Sequence, residues 1–406
     1  MLATRKSFVS SAFLLVSAVT ALSVLGLAAR PFPPQGPEDN SKSKVLKAEQ
    51  VYLQREQSAS PEIKKALTAL RAQVTERKFT FTIGYTKAMD KKLETLAGTR
   101  APENLPALAA KQNALASEML KVDETARDEF LKTHPQALPE LKYWRPRLPC
   151  AARPTFDWRK LGKVTAVRDQ DGCGSCWAFG AMGAYEGSYL IRNSVAIDTS
   201  EQHVLNCSAA GSCGGGWHAG VFDWMIKTGN TDEASDPYTA TDKPCKAGVS
   251  TPYRAVAWGY VRSDGGIPTV DEMKAALCSH GPLTVAVFAS PLFQAYTGGV
   301  FNEMDTSHGI NHDITLIGWD DSKHAWLIKN SWGPYWGETG GYGTERGYMW
   351  IDYNSNNIGY GAAWVQAQNR FYILPPRYFE VMPEIKPMPD PLKLSPAKRE
   401  VAPPNT

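Results

Sequence analysis

The sequence predicts an α+β fold, on three observations. Residues 176–193 are apolar on most sides, carrying Trp177, Ala178, Phe179, Ala181, Met182, Ala184, Tyr185, Tyr189, Leu190 and Ile191, as a helix buried within a domain would be. Residues 311–319 and 326–330 form two short apolar runs that read as strands, with His312 at the entrance of the first and Asn330 at the end of the second. The helix is preceded directly by the glycine-punctuated loop Gln170-Asp171-Gly172-Cys173-Gly174-Ser175-Cys176-Trp177.

That loop places Cys176 in the first turn of the helix. Unpaired backbone N–H groups and the positive end of the helix dipole there favour thiolate over thiol, so Cys176 is the candidate nucleophile. A redox reading of Cys173-x-x-Cys176 wants a thioredoxin-like βαβ context, and a zinc site needs a second ligand pair at the right spacing; the sequence offers neither.

A nucleophilic thiol needs a base, and the base needs an orienting group. Of seven histidines, His312 is set at the start of an apolar strand, 136 residues after Cys176. The amide oxygen of Asn330 is placed to accept from one imidazole nitrogen while the other faces the thiol, with Trp332 shielding the bond from water. His308 sits in a Ser-His-Gly turn and reads as a loop residue. His134, His203, His218, His280 and His324 take surface or packing roles by default.

With these segments the chain resembles the papain/cathepsin family of cysteine peptidases. Besides the CGSCW run, the resemblance lies in residues 154–159, 200–207, 213–217, 236–238, 311–321 and 326–338, in order, and covers residues 154 to about 366. It implies a two-lobed fold: a mainly helical lobe with Cys176, an antiparallel β-barrel-like lobe with His312 and Asn330, and a cleft between them. It also implies peptide hydrolysis through an acyl-enzyme on Cys176, with His312 as acid and base. Gln170 and the Cys176 N–H are then the oxyanion donors, and one such donor is typically worth on the order of 10²–10³ in turnover.

By the same resemblance Cys173 pairs with Cys213 and Cys207 with Cys245. Seven cysteines less Cys176 leave an even number. Cys150 and Cys278 are the remaining two, either bonded to each other or free. The family's bridge in the second lobe is missing, because Ile358 stands where its cysteine would be. The pocket for the residue two before the scissile bond maps to Trp217, Ala286, Ile310 and Ala363, with Gly215 and Gly216 offering backbone to an extended substrate. These side chains carry no charge, which implies a preference for Leu, Val or Phe over Arg. No cysteine-rich insert lies between Cys213 and Cys245, so endopeptidase action is expected. The same machinery also suits a transpeptidase or ligase, and a catalytically silent cleft-binding protein is a further alternative.

Around the catalytic region, 151–372, three other segments are expected. Residues 1–29 carry Arg5 and Lys6 before an apolar stretch, the pattern of a signal peptide or, uncleaved, of a membrane anchor. The expected location is secreted or another extracytoplasmic oxidising compartment. Residues 30–150 read as an atypical propeptide or a retained accessory region: Ser60-Pro61-Glu62 opens a helix, residues 79–85 suit a strand, and residues 103–131 have helical spacing. Residues 373–406 hold nine prolines and read as an extended tail.

Charge divides along the same lines. Residues 30–150 carry 21 Lys/Arg against 15 Asp/Glu, while residues 151–372 carry 16 against 22. Mutual attraction that weakens on acidification is therefore expected. No concentrated basic stripe suggests nucleic acid as a partner; the partners expected are polypeptide substrates and the chain's own N-terminal region. No metal site and no cofactor is expected. Two departures from the family pattern stand out: Asp313 directly after the histidine, and the glycine-rich stretch 339–346, expected to lie on the surface.

Overall fold

A computed structural model of the chain describes residues 50–137 and 150–372. The expected signal segment, the junction 138–149 and the proline-rich tail lie outside the described residues. Helix α1 (Pro61–Glu76) starts as its sequence requires: the Ser60 hydroxyl accepts from the Ile63 N–H at 3.3 Å, and Pro61 takes the first helical position. Strand β1 is confined to Thr82–Ile83, shorter than the stretch 79–85 suggested, because its pairing register shifts between those two residues. Helix α2 (Leu105–Thr133) is the long helix expected over 103–131.

The catalytic region adds strand β2 (Thr155–Asp157), helix α3 (Cys176–Asn193), helix α4 (Glu201–Cys207), the short strands β3 (Gly211–Ser212) and β4 (Gly215–Gly216), and helix α5 (His218–Lys227). Strand β5 (Ala255–Tyr260), helix α6 (Val270–His280) and strands β6 (Leu283–Val287), β7 (Tyr296–Gly298) and β8 (Val300–Phe301) follow. The chain then forms β9 (His312–Asp320), β10 (Ala325–Lys329), β11 (Tyr348–Asp352) and β12 (Tyr360–Ala367). The main sheet runs β5-β12-β6-β9-β10-β11-β8, with β2 also paired to β9. Its pairs are antiparallel except β8 with β11. The fold is α+β and two-lobed, with helices α3, α4 and α5 on one side of the cleft and the sheet on the other.

Helix α3 packs directly onto this sheet because the face it presents is glycine. An added Cβ at Gly183 would come within 2.2 Å of the Thr315 hydroxyl, and one at Gly187 within 2.6 Å of the Pro282 ring. That close approach sets Cys176, at the helix start, beside Asp313, the residue after His312 on β9.

Helix α2 closes the opposite edge of the sheet. Its buried residues Leu105, Ala109, Gln112, Ala116, Met119, Asp123 and Ala126 recur at helical spacing and form one stripe. Strand β5 is a sheet edge, and its free backbone groups are met by side chains: Gln112 donates to the Trp258 carbonyl at 2.8 Å, while Asn113 accepts from the Tyr260 N–H at 2.8 Å and donates to its carbonyl at 3.0 Å. At the far end of the stripe Asp123, fully buried, accepts from Arg192 at 3.0 Å, Gln366 at 2.7 Å and Tyr372 at 2.8 Å.

Three disulfides are formed: Cys173–Cys213, Cys207–Cys245 and Cys150–Cys278. The third joins the start of the catalytic region to α6, and Cys176 is the free cysteine. Ile358, in place of a bridge cysteine, is buried in the core. The 339–346 stretch is fastened to the sheet lobe, with Arg159 donating to the Thr339 and Gly340 carbonyls and Glu345 accepting from the Val167 N–H at 3.0 Å. Among the described residues no helix is long and apolar enough to cross a membrane.

Replacing Asp123 with Ala removes the buried carboxylate that Arg192, Gln366 and Tyr372 share. We expect a loss of about 3–5 kcal/mol in the unfolding free energy of the full chain; a denaturant midpoint equal to that of the parent would show that α2 is not held by this carboxylate.

Candidate active site

Four residues named from the sequence meet in the cleft. His312 Nε2 lies 2.8 Å from Asn330 Oδ1; the amide oxygen accepts, so Nε2 carries the proton and Nδ1 is left free for the thiol side. The Trp332 ring covers this bond, its centroid 4.6 Å from that of His312. Asn330 Oδ1 also accepts from the Ser331 N–H at 2.8 Å, which fixes the amide. Gln170 is fixed in the same way: its Oε1 accepts from the Ser331 hydroxyl at 2.7 Å, so its Nε2 points into the cleft. The Tyr238 hydroxyl supports the loop from behind, donating to the Gln170 carbonyl at 2.9 Å and bonding to Ser175 at 2.6 Å.

The cleft is occupied by the chain itself. Residues 96–100 run across it, and the Gln170 Nε2 donates to the Leu96 carbonyl at 2.9 Å. The Gly98 N–H points at Cys176 Sγ at 3.3 Å, and the Thr99 hydroxyl lies 3.2 Å from the same sulfur. Backbone bonds hold the segment on both sides. Gly216 donates to the Gly98 carbonyl at 2.9 Å and accepts from the Arg100 N–H at 2.9 Å, a parallel bridge of Thr99 with Gly216, while the Thr99 N–H donates to the Asn311 carbonyl at 2.8 Å. The seat admits only glycine at 98: an added Cβ would come within 1.9 Å of the Gly174 carbonyl oxygen.

This covering decides the charge state of the site. Burial pushes the Cys176 thiol up to about 11, with the neighbouring Asp313 carboxylate adding to the rise and the Thr99 and Gly98 hydrogen bonds opposing it. Burial likewise holds the His312 imidazole down to about 4, against the opposing pull of the Asn330 bond. The helix-start position of Cys176 favours thiolate, as the sequence suggests, but desolvation outweighs it here. Thiol and imidazole are both neutral in this state.

The subsite residues divide. Gly216 bonds the backbone of the covering segment and Gly215 lies against the Gly98 carbonyl, while Ile310, partly buried, sits one residue before the carbonyl that takes the Thr99 N–H. Trp217 is buried, its indole donating to the Tyr260 hydroxyl at 2.9 Å. Ala286 and Ala363 are interior positions of β6 and β12, Ala286 opposite Asp313 and Ala363 opposite Thr284. His308 is in an exposed turn with Asp305, and half-buried His280 stacks on Trp364. Sequence reasoning missed Ser331, which orients both Gln170 and Asn330 and stood in the quoted run after Asn330. It missed Gly98 and Thr99 altogether, since backbone contacts leave no side-chain pattern.

Residues 152–363, just over half of the chain, match the family model of the papain family of cysteine proteases. The chain belongs to the papain family. Digestive cysteine proteinase 3 of Homarus americanus is 38% identical over 192 residues, covering 45% of this chain and 59% of that protein. Cathepsin L of Sarcophaga peregrina is 37% identical over 214 residues, covering 50% and 60%. The match thus spans about three fifths of the length of these papain-family relatives. In fold, the chain is similar to digestive procathepsin L 3 of Tenebrio molitor larval midgut, with TM-score 0.53 and 21% identity over 81% of this chain and 94% of that one. A recombinant stem bromelain precursor gives TM-score 0.54 and 23% identity over 82% and 95%.

Because Cys176 is a buried neutral thiol in this state, its alkylation by iodoacetamide in the intact chain is expected to be slow at neutral pH and to climb toward about pH 11. A rate already at its plateau near neutrality would contradict the covered site.

Proposed function

We propose that the chain is a cysteine endopeptidase held latent by its own residues 96–100. In the active form Cys176 thiolate attacks a peptide carbonyl, the His312 imidazolium protonates the leaving amine, and water activated by His312 releases the acyl group. Asn330 orients the imidazole, and Gln170 stabilises the oxyanion. The observation that carries this reading is the Leu96 peptide: its carbonyl oxygen takes the Gln170 Nε2 hydrogen bond at 2.9 Å, as the oxygen of a bound substrate would. That peptide survives because the facing pair is neutral, so neither nucleophile nor proton donor is ready.

Charge contributes to the hold, modestly. Lys87–Asp169 at 2.9 Å and Lys91–Asp171 at 2.6 Å flank Gln170, but all four side chains are substantially exposed, so each pair is worth at most about 1 kcal/mol. The Lys91 ammonium holds the Asp171 carboxyl below its ordinary range. A depressed carboxyl stabilises above its unfolded value and loses that contribution as pH falls through the folded one, so acidification loosens this contact.

Helix α2 calls for a different reading from residues 96–100. Its buried Asp123 network and its cover over the β5 edge resemble a domain interior, so we infer that it stays in place as an accessory element after the cleft is opened. The apolar character of Trp217, Ala286, Ile310 and Ala363 supports a preference for Leu, Val or Phe at the second subsite. Three disulfides fit an extracytoplasmic oxidising compartment, and secretion through the N-terminal segment is part of the proposal.

Titration of reduced protein with a peptidyl epoxide before and after acid incubation, with mass mapping of native species, tests these readings together. The expected result is labelled Cys176 in a form cut ahead of Leu105 that retains 105–133 and hydrolyses a Leu-Arg reporter faster than Arg-Arg. Labelling of the uncut chain would refute latency, labelling only of forms lacking α2 would refute its retention, and no labelling at all would refute the peptidase. Faster Arg-Arg cleavage would refute the subsite assignment.

A further inference from the structure

The chemistry proposed above leaves one buried ionisable pair without a role. His218, the first residue of α5, and Asp313, the second of β9, are both fully buried, and the His218 Nδ1 lies 3.0 Å from Asp313 Oδ2. The other ring nitrogen, Nε2, lies 3.0 Å from the Gly361 carbonyl. A carbonyl only accepts, so Nε2 bears a hydrogen. The contact between Nδ1 and the carboxyl group therefore holds one proton. Asp313 Oδ1 makes no hydrogen bond in the structure, so His218 is the group that answers its charge.

The pair lies against the reacting groups and against the substrate wall. Asp313 follows His312 directly, and it packs on α3 one turn past Cys176, where an added Cβ on Gly180 would come within 3.2 Å of the Asp313 Cβ. His218 directly follows the Gly215–Trp217 stretch, and its ring centroid is 4.1 Å from that of buried Trp217. The other titratable groups around the pair are Cys176 on α3, His312 on β9 and Tyr260 on β5, whose ring centroid is 6.3 Å from that of His218. Across a small cavity that Asp313 also lines stand Arg168, Glu186, Glu201 and Lys329. Of these groups only His218 bonds to the Asp313 carboxyl.

We propose that His218 and Asp313 are positioning residues of the peptidase site, setting the charge felt by Cys176 and His312 and tying the Gly215–Trp217 wall to them. The inference rests on the reading of Cys176 and His312 as nucleophile and base. The negative end of the pair faces the site: the Asp313 carboxylate raises the Cys176 thiol and favours protonated His312. With His218 in place that effect is offset by a partner; without it, the carboxylate acts alone. The pair therefore places the pH window in which thiolate and imidazolium coexist.

The test follows the rate of Cys176 alkylation by iodoacetamide across pH in acid-activated protein, for the parent, Asp313→Asn, His218→Gln and the double variant. Losing the carboxylate eases thiolate formation and weakens the imidazolium, so Asp313→Asn moves both limbs to lower pH, by roughly half a unit or more. His218→Gln keeps a donor for the Gly361 carbonyl but strips the counter-charge, and moves both limbs to higher pH. The double variant, with two neutral amides, falls between the single variants. A merely structural role would lower stability and leave the limbs where they are. Unmoved limbs in folded variants overturn the inference, as does a shift in Asp313→Asn beside a folded His218→Gln whose limbs stay where they are. Where His218→Gln fails to fold, the near-isosteric Asp313→Asn decides. If parent Cys176 is not alkylated at any pH, the peptidase reading itself fails, which separates the two.

Discussion

Desolvation of the Cys176 thiol under the Gly98–Thr99 peptide is the constraint on which the rest of the site depends. A thiol at a helix start is ordinarily poised toward thiolate, and an imidazole bonded to an amide oxygen is ordinarily able to take a proton. Closing a peptide over both removes the water that would solvate their charges, and the balance reverses to a neutral pair. The same peptide places a carbonyl against Gln170 and backbone against Gly216, so the groups that would bind substrate are engaged while those that would cut it are discharged.

A covering of five residues would not stay seated alone. It is anchored on one side by β1, which pairs with β7 and brings Phe81 against Phe301 with ring centroids 4.6 Å apart, and on the other by α2 along the β5 edge. The two anchors differ in kind. The pairing of β1 is two residues long and is joined by exposed ion pairs, whereas α2 buries a stripe of side chains and a charged network. Opening the cleft asks for release of the β1 side, with buried Phe81 and the Gln294 bonds to the Ala88 and Lys91 carbonyls, and not for dismantling of the interface around Asp123.

Legibility in the sequence followed the kind of interaction. Cys176, His312 and Asn330 could be named because nucleophile, base and orienting group each demand a particular side chain in a particular local setting, whereas Gln170 was named through the family resemblance. The helix over 105–133 was visible from its spacing, but Asp123 lies on the buried stripe, and a charge at such a position reads like any charge on a solvated face until its partners Arg192 and Tyr372 are placed. Parity left Cys150 and Cys278 open; their Cα atoms lie 5.8 Å apart and are bridged. The covering segment left no trace in composition because its contacts are mostly backbone, apart from the Thr99 hydroxyl on Cys176 and one glycine that fits where a Cβ cannot. His218 was passed over for a related reason: a lone histidine carries no signal, and its meaning comes from Asp313, 95 residues away.

The most direct test of the covering is steric. Gly98→Ala places a methyl group against the Gly174 carbonyl and should unseat the segment while leaving every catalytic residue intact. Measured as hydrolysis of a Leu-Arg reporter by intact, uncleaved chain at neutral pH, this variant is expected to be active where the parent is silent. Silence in a folded Gly98→Ala chain that becomes fully active once cleaved would contradict the claim that residues 96–100 hold the site shut.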